Sequence, residues 1–409
     1  PGFEDRLWQQ LSRPQWFRRF LEDGQIAAWL DGPNEGMRNH ALNMMASAVK
    51  EHPVSIAKLL GDRKAQPEYH RWLRWVSRFS DVFQNRDLFD LVLEGVREGA
   101  YDGAQHELWL TMHNLPKHEP LWAIELLQAR LIDHGDALTL NEEGKVTVLG
   151  MREHSAAELV RYTAHAEPLA FVLVTVPYLR RVMARTAIEP GVDGLIRDLH
   201  FSFRIKDDDL GSYQLDGILL AASVRALESV AKSAPEEIRF LLEELASDPY
   251  DGSQFLLYRA LSASAEHFAG WAASLLLEGG RRLRCGYISD SLWVARELVR
   301  AIAPHVSDET HQRLEKLFRD LPCEWGSNCG SGRSAFTFLS ALEEARLTTV
   351  GQRLLGEYRR KFGEDAPAEP QGITGGSIGS PIALGAAKKM SDSQWPVSYT
   401  HLRAHETLR

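Results

Sequence analysis

The chain has 409 residues, with 47 Lys and Arg against 56 Asp and Glu, for a formal net charge of −9. That acidic balance argues against a broad nucleic-acid surface, which needs a basic face to displace counterions. A hydrophobic content of 44% and a charged content of 25% place the chain among folded globular proteins and exclude a disordered one.

The longest dense apolar stretch, residues 169–176, is too short to span a bilayer. Three cysteines, Cys285, Cys323 and Cys329, are an odd and sparse set that favours a reducing, cytoplasmic setting over a disulfide scaffold. Helical periodicity then runs along almost the whole chain. It covers residues 25–30, 37–49, 69–79, 88–96, 119–132, 155–164, 168–183 and 215–230, followed by 236–245, 255–261, 265–277, 291–302, 310–318 and 335–362. Short connections carrying Gly, Pro, Asp and Ser separate these segments, as helix ends require. One strand-like patch, residues 138–140 and 146–148 around Asn141 and Gly144, reads equally as a small hairpin or as a loop leading into a helix.

A weak internal repeat organises the helices. His52-Pro53-Val54 leads into Ile56, Leu59 and Leu60, and Glu119-Pro120-Leu121 leads into Ile124, Leu126 and Leu127. Glu167-Pro168-Leu169 and Ala234-Pro235-Glu236 return in the same way, and a proline-free copy starts at Glu266. Each proline falls where a helix begins and its missing N–H costs nothing. The spacings are unequal, so uniform tandem units are excluded. The expected fold is all-α, an irregular α-solenoid of stacked antiparallel helix pairs of the HEAT or TPR kind. Residues 1–187 and 210–362 form two sub-arrays joined by an irregular connection at 188–209. Residues 363–390 read as a flexible linker rich in Gly, Pro, Ala and Ser, and 391–395 as the start of a helix with Ser391 and Gln394 as a capping box.

Several constellations suggest chemistry and fail on spacing. Residues 326–334 are glycine-rich, but Arg333 stands where a phosphate loop needs lysine and no buried strand precedes it. The three cysteines lack the tight pairs of a zinc site. His106-Glu107 begins like a zinc-protease helix and lacks the second histidine, and Asp207-Asp208-Asp209 lacks the spaced acids of a calcium loop. No catalytic, cofactor or metal site is expected. The most pointed surface feature is the stretch from Arg71 to Phe79. Trp72, Trp75, Val76 and Phe79 share one helical face, while Arg71, Arg74 and Arg78 share another. That pattern reads as a core stripe backed by a solvated basic face, or as a contact for an anionic partner, joined by Arg180, Arg181 and Arg185 elsewhere. Arg281, Arg282 and Arg284 read as a basic turn or, less often, a phosphate or partner site.

The Pro-led helices at Pro53, Pro120 and Pro168, the Trp72-Leu73-Arg74-Trp75 stretch, and the linker and helix start at Ser380-Pro381 and 390–395 together carry a resemblance. In texture the chain resembles the long α-helical arms of large bacterial STAND-type NTPases, the NACHT and AAA-like signalling and defence proteins. The resemblance spans most of the chain on structural motifs of low specificity. It implies an arm that senses or binds a trigger, following an NTPase core whose signature this sequence lacks, so no catalytic residue carries over. The expected function is a non-catalytic protein-interaction or ligand-sensing region of a larger bacterial protein. Its partner would be another protein or another domain of the same parent chain. A helical-repeat enzyme acting on nucleic acid and a passive structural spacer remain as alternatives.

Residues 396–407 resemble, residue for residue, the in-frame translation of a transposase-type sequencing-library adapter. Residues 396–409 are therefore expected to be a non-native tail, and the chain, which starts at Pro1, an internal piece of a longer product.

Overall fold

Proline at the head of some helices and a side-chain cap at the start of others set boundaries in the computed structural model, which describes residues 3–78, 85–134, 138–140, 146–148, 154–188, 195–198, 201, 215–285, 292–321 and 332–363. Among the described residues the fold is all-α apart from one hairpin. The chain opens with α1 (Phe3–Leu11), α2 (Pro14–Glu22), α3 (Gln25–Asp31) and α4 (Glu35–Ala48), where the Asn34 side chain accepts the Met37 N–H and caps the last of them. Next come α5 (Pro53–Gly61), α6 (Tyr69–Ser77), α7 (Arg86–Arg97), α8 (Gln105–Met112) and the single turn α9 (Leu115–His118). α10 (Pro120–Gln128) runs on into a π-helical turn, Ala129–Asp133. Strands β1 (Leu138–Leu140) and β2 (Val146–Val148) pair antiparallel, with Thr139 opposite Thr147, so the strand-like patch is a hairpin.

α11 (His154–Ala166), α12 (Pro168–Thr186) and α13 (Leu215–Ser233) follow, then the 3-10 turn Pro235–Ile238 leading into α14 (Arg239–Ser247). The rest is α15 (Asp251–Ala263), α16 (Ala265–Leu277), the 3-10 turn Gly280–Leu283, α17 (Trp293–Ile302), α18 (Asp308–Arg319), α19 (Arg333–Leu339) and α20 (Thr349–Phe362). Pro53, Pro120 and Pro168 each open a helix, and Pro235 opens the 3-10 turn before α14, as the repeat grammar predicts.

The helices pack in two rows. In the first, α2, α4, α6, α8, α11, α13, α15, α17 and α19 each lie against the next. In the second, α5, α7, α10 and α12 do the same, as do α16 and α18. Consecutive helices such as α6 and α7 or α15 and α16 pack across the rows. In the second row, α7, α10 and α12 run in the same direction. Phe89 near the start of α7 stacks on Trp122 near the start of α10, with ring centroids 5.0 Å apart. At the other end Arg97 Nε donates to Asp133 at 2.8 Å, and Arg181 of α12 donates to the Leu131 carbonyl at 2.7 Å. α12 packs on α13 across residues 187–214, and Thr175 meets Ser223 there at 2.8 Å between two buried hydroxyls. The apolar interior between the rows is one connected cluster running from Phe17 to Leu355.

One expectation is corrected. The periodicity over residues 335–362 reads as a single helix, but α19 ends at Leu339 and α20 starts at Thr349, with a 3-10 turn, Glu344–Arg346, between them. Thr348 restarts the chain as an N-cap, its hydroxyl oxygen accepting the Gly351 N–H at 3.2 Å. Its own N–H and hydroxyl both donate to the buried Glu315 carboxylate of α18. Phe79, Asp207–209, Cys323, Cys329, the glycine-rich loop up to residue 331, the linker beyond Gly363, the helix start at 391–395 and the tail at 396–409 lie outside the described residues. The described residues all belong to one compact unit, Pro1–Ala368, and none of the second, Glu369–Arg409, is among them.

Candidate interaction surface

α6 divides as its sequence demands. Tyr69, Trp72, Leu73 and Val76 are buried between the rows, while Arg71 and Arg78 are exposed and Arg74 is half-buried. The structure places this face between α4 and α8 and gives two of its arginines acidic neighbours. Arg71 reaches Glu35 at 3.4 Å and Glu68 at 3.6 Å, and also touches Asn39 of α4. Arg78 donates to Glu107 of α8 at 3.1 Å and lies over the Trp75 ring at 5.0 Å, while the Trp75 indole N–H donates to Asn43 of α4 at 3.0 Å. Solvent-exposed pairs of this kind contribute roughly 0.2–1 kcal/mol each. They hold α6 in register and leave the guanidinium groups reachable by a competing anion.

Three of the other basic residues singled out by sequence, Arg180, Arg181 and Arg282, serve the packing, while Arg185 is exposed. Arg180 grips Asp248 and Glu244, and Arg181 takes the Leu131 carbonyl. Arg282 is buried. It donates to Gln254 at 2.7 Å, to the Ala246 carbonyl at 3.0 Å and to Glu278 at 2.8 Å, which ties α14, α15 and α16 together.

A second surface was not legible in the sequence. The first turns of the parallel helices α7, α10 and α12 fall along one edge. α14 joins them, with Arg239 at its start over the Trp271 ring of α16 at 4.1 Å and Glu244 near its end paired with Arg180 of α12. Val54, Leu121, Phe240 and Val350, each the second residue of its helix, are 60%, 56%, 52% and 60% exposed. The same position in α7, α16 and α18 holds Asp87, Glu266 and Glu309, all exposed. Exposed apolar and acidic side chains therefore both recur at one helical position, while α12 carries the half-buried Leu169 there. Acids near a helix N-terminus are favoured by its dipole, but nothing in helix formation calls for an exposed Phe or Leu. The repeat grammar contains these residues, since Val54 and Leu121 directly follow the leading prolines. What it omits is their direction, because proline fixes the start of a helix and not the side its second residue faces.

A buried polar centre lies at the start of α15. Asp251, Gly252, Ser253 and Gln254 are all buried, with Asp198 close by against Gly252. The backbone of residues 196–198 is threaded beside them: the Ile196 N–H donates to the Pro249 carbonyl and the Asp251 N–H to the Ile196 carbonyl. Gln254 donates to the Leu245 and Asp248 carbonyls, and Ser253 donates to Asp248 at 2.9 Å. Burial pushes the Asp251 carboxyl up to about 7, opposed by the Arg197 charge and the Cys285 thiol and reinforced by Asp198. The Cys285 thiol is itself driven far up by burial, so it is a packing group and not a nucleophile. Among the described residues no group of three or more His, Cys, Asp or Glu is placed to hold a metal, and no helix is long and apolar enough to cross a membrane.

The chain matches no known family model, no curated protein sequence and no solved structure.

Proposed function

We propose that this chain is a helical-repeat binding module, an irregular α-solenoid whose second-row edge docks a partner protein. The observation that carries the reading is the series Val54, Leu121, Phe240 and Val350, exposed apolar side chains at one recurring position among exposed acids. Exposed apolar side chains that recur at one position of successive helices are more than the scattered single residues that any folded surface carries. An extended, repetitive scaffold suits recognition by shape and distributed contacts. The mixture of apolar and acidic side chains calls for a partner presenting basic and apolar side chains. As the sequence texture suggests, the parent protein would be a STAND-type NTPase of a bacterial cytoplasm, with this region as its sensing arm. Arg71, Arg74 and Arg78 would then form a separate, minor contact for an acidic segment.

Photo-cross-linking tests the reading directly. A photoreactive residue placed at position 54, 121 or 240, with the chain co-expressed with the products of neighbouring genes, should give one discrete adduct. The same residue in place of Ser247, at the opposite end of α14, should give none. Charge reversal of Arg71, Arg74 and Arg78 should weaken capture only mildly. Equal labelling at both ends of α14 would overturn the edge, and no adduct anywhere would favour a passive spacer. The source DNA decides the parent: Walker A and B motifs upstream in the same frame support the sensing arm, and a start codon just upstream removes it.

A further inference from the structure

Arg130 is an unusual charged residue, fully buried, and its position is independent of the docking edge. It lies in the π-helical turn that ends α10, and its side chain is 0% exposed. One end of the guanidinium is held, since Nη1 donates to Asp102 at 2.9 Å. The other two nitrogens, Nε and Nη2, are buried and meet no acceptor. Those two N–H groups point along one edge of the planar fork, the edge that grips a carboxylate or phosphate with two parallel hydrogen bonds. Leaving two charged donors unsatisfied costs several times what an ordinary hydrogen bond contributes, so an unused edge calls for an acceptor.

The groups around it are polar. His134 is buried, with Nε2 3.2 Å from the second Asp102 oxygen and Nδ1 3.2 Å from the Arg97 carbonyl. Gly99, at φ +79, lets the backbone turn close beneath them, where a Cβ would stand 2.7 Å from Asp102 and 3.4 Å from His134. Asp133, the nearest other acid in sequence, is held by Arg97 and Gln128. Of the three central groups only Asp102 reaches solvent, its side chain 46% exposed against 0% for Arg130 and 6% for His134. π turns recur at functional sites because the extra residue re-aims side chains.

We propose that the Nε–Nη2 edge of Arg130 is a binding site for one small oxyanion, a phosphate or a carboxylate, entered past Asp102. Asp102 stands in for part of the ligand when the site is empty and repels it when it arrives. Removing that carboxylate should therefore tighten anion binding by about tenfold, the usual scale for relieving one close like charge. Asp102→Asn also leaves Arg130 buried without its counter-ion, so the variant should melt lower than wild type and recover when the anion is added.

The test uses inorganic phosphate and acetate, each against chloride at constant ionic strength, with the full chain. Binding is followed by thermal unfolding and by the Nε–Hε resonance of Arg130 in NMR spectra. The expected result is a saturable shift of that resonance with phosphate, a larger rise in melting temperature for Asp102→Asn than for wild type, and no binding to Arg130→Lys. Phosphate binding well ahead of acetate assigns a phosphorylated ligand, and equal binding assigns a carboxylate. If Arg130→Lys fails to fold, the resonance and the Asp102→Asn comparison still decide. An Arg130 resonance indifferent to both anions up to tens of millimolar, in wild type and in Asp102→Asn, means that a buried water fills the edge and overturns the site.

Discussion

Arg180 of α12 and Asp248 at the end of α14 face each other in a two-point ion pair, Nε to Oδ2 at 2.7 Å and Nη2 to Oδ1 at 2.9 Å. Sixty-eight residues separate them in sequence, and the pair joins helices on either side of the connection at 187–214. Asp248 also accepts the Ser253 hydroxyl, which fixes the entry to α15. Asp248 is largely buried, so taking away its cation strands a carboxylate in a poorly solvated place. Arg180→Met should destabilise the fold by about 2 kcal/mol, between the values for exposed and fully buried pairs. Chemical denaturation at neutral pH would measure this, and a loss below a few tenths of that figure would show that the pair merely decorates the surface.

The same joint holds a neutral contact with a different signature. Thr175 and Ser223 share a hydrogen bond of 2.8 Å in the dry interior between α12 and α13, and Thr175 also meets the Phe171 carbonyl. Thr175→Val leaves the Ser223 hydroxyl without its partner and should cost about 1–2 kcal/mol. Adding Ser223→Ala removes the stranded group, so the double variant should lose clearly less than the two single losses combined. Strict additivity in urea titrations would mean that the two hydroxyls do not depend on each other.

Glu315 shows how far a helix start can depend on a distant residue. Its buried carboxylate receives both the N–H and the hydroxyl of Thr348, and Arg319 lies 3.5 Å away. Gly351 makes room for it, because a Cβ there would stand 2.5 Å from a carboxylate oxygen. Gly351→Ala, normally stabilising within a helix, should instead lower stability by about 1–3 kcal/mol by driving the carboxylate off the cap. A variant more stable than wild type on thermal unfolding would contradict this account of the α20 start.

These contacts mark where sequence reading reached and where it stopped. Pro53, Pro120 and Pro168 announced helix starts because the reason is local: the first-turn amides need no partner. The buried face of α6 was legible for the same kind of reason, since Trp72 and Val76 lie four residues apart. The break before Thr349 was hidden because its cap depends on Glu315, thirty-three residues upstream. Arg130 was hidden because a single π turn changes the register within an otherwise regular helical run. Arg71 and Arg78 looked like an open basic face because Glu35 and Glu107 approach them only once α4, α6 and α8 are side by side. The centre at Asp251 could not be read at all, because Met183, Asp198, Asp251 and Cys285 meet only in the folded chain.

That centre gives the fold a pH dependence with a definite sign. Asp251 is held at about 7 by burial in the folded chain, against an ordinary value of 3.8. The folded state therefore keeps its proton where the unfolded chain releases it. The resulting stability is fully present below pH 3.8 and is lost as pH rises through that value toward about 7. Its slope approaches about 1.4 kcal/mol per pH unit, one proton's worth. Arg197 and the Cys285 thiol act against the shift and Asp198 adds to it, so the net effect belongs to the cluster. Asp251→Asn, close in shape and unable to ionise, should remove that slope. The variant should gain on wild type steadily between pH 4 and pH 7, and should be the more stable of the two at pH 8. Urea titrations of both chains across this range isolate the group, because every other titration is common to the pair. Parallel stability curves would mean that Asp251 is solvated in solution and that the centre beside α15 opens to water.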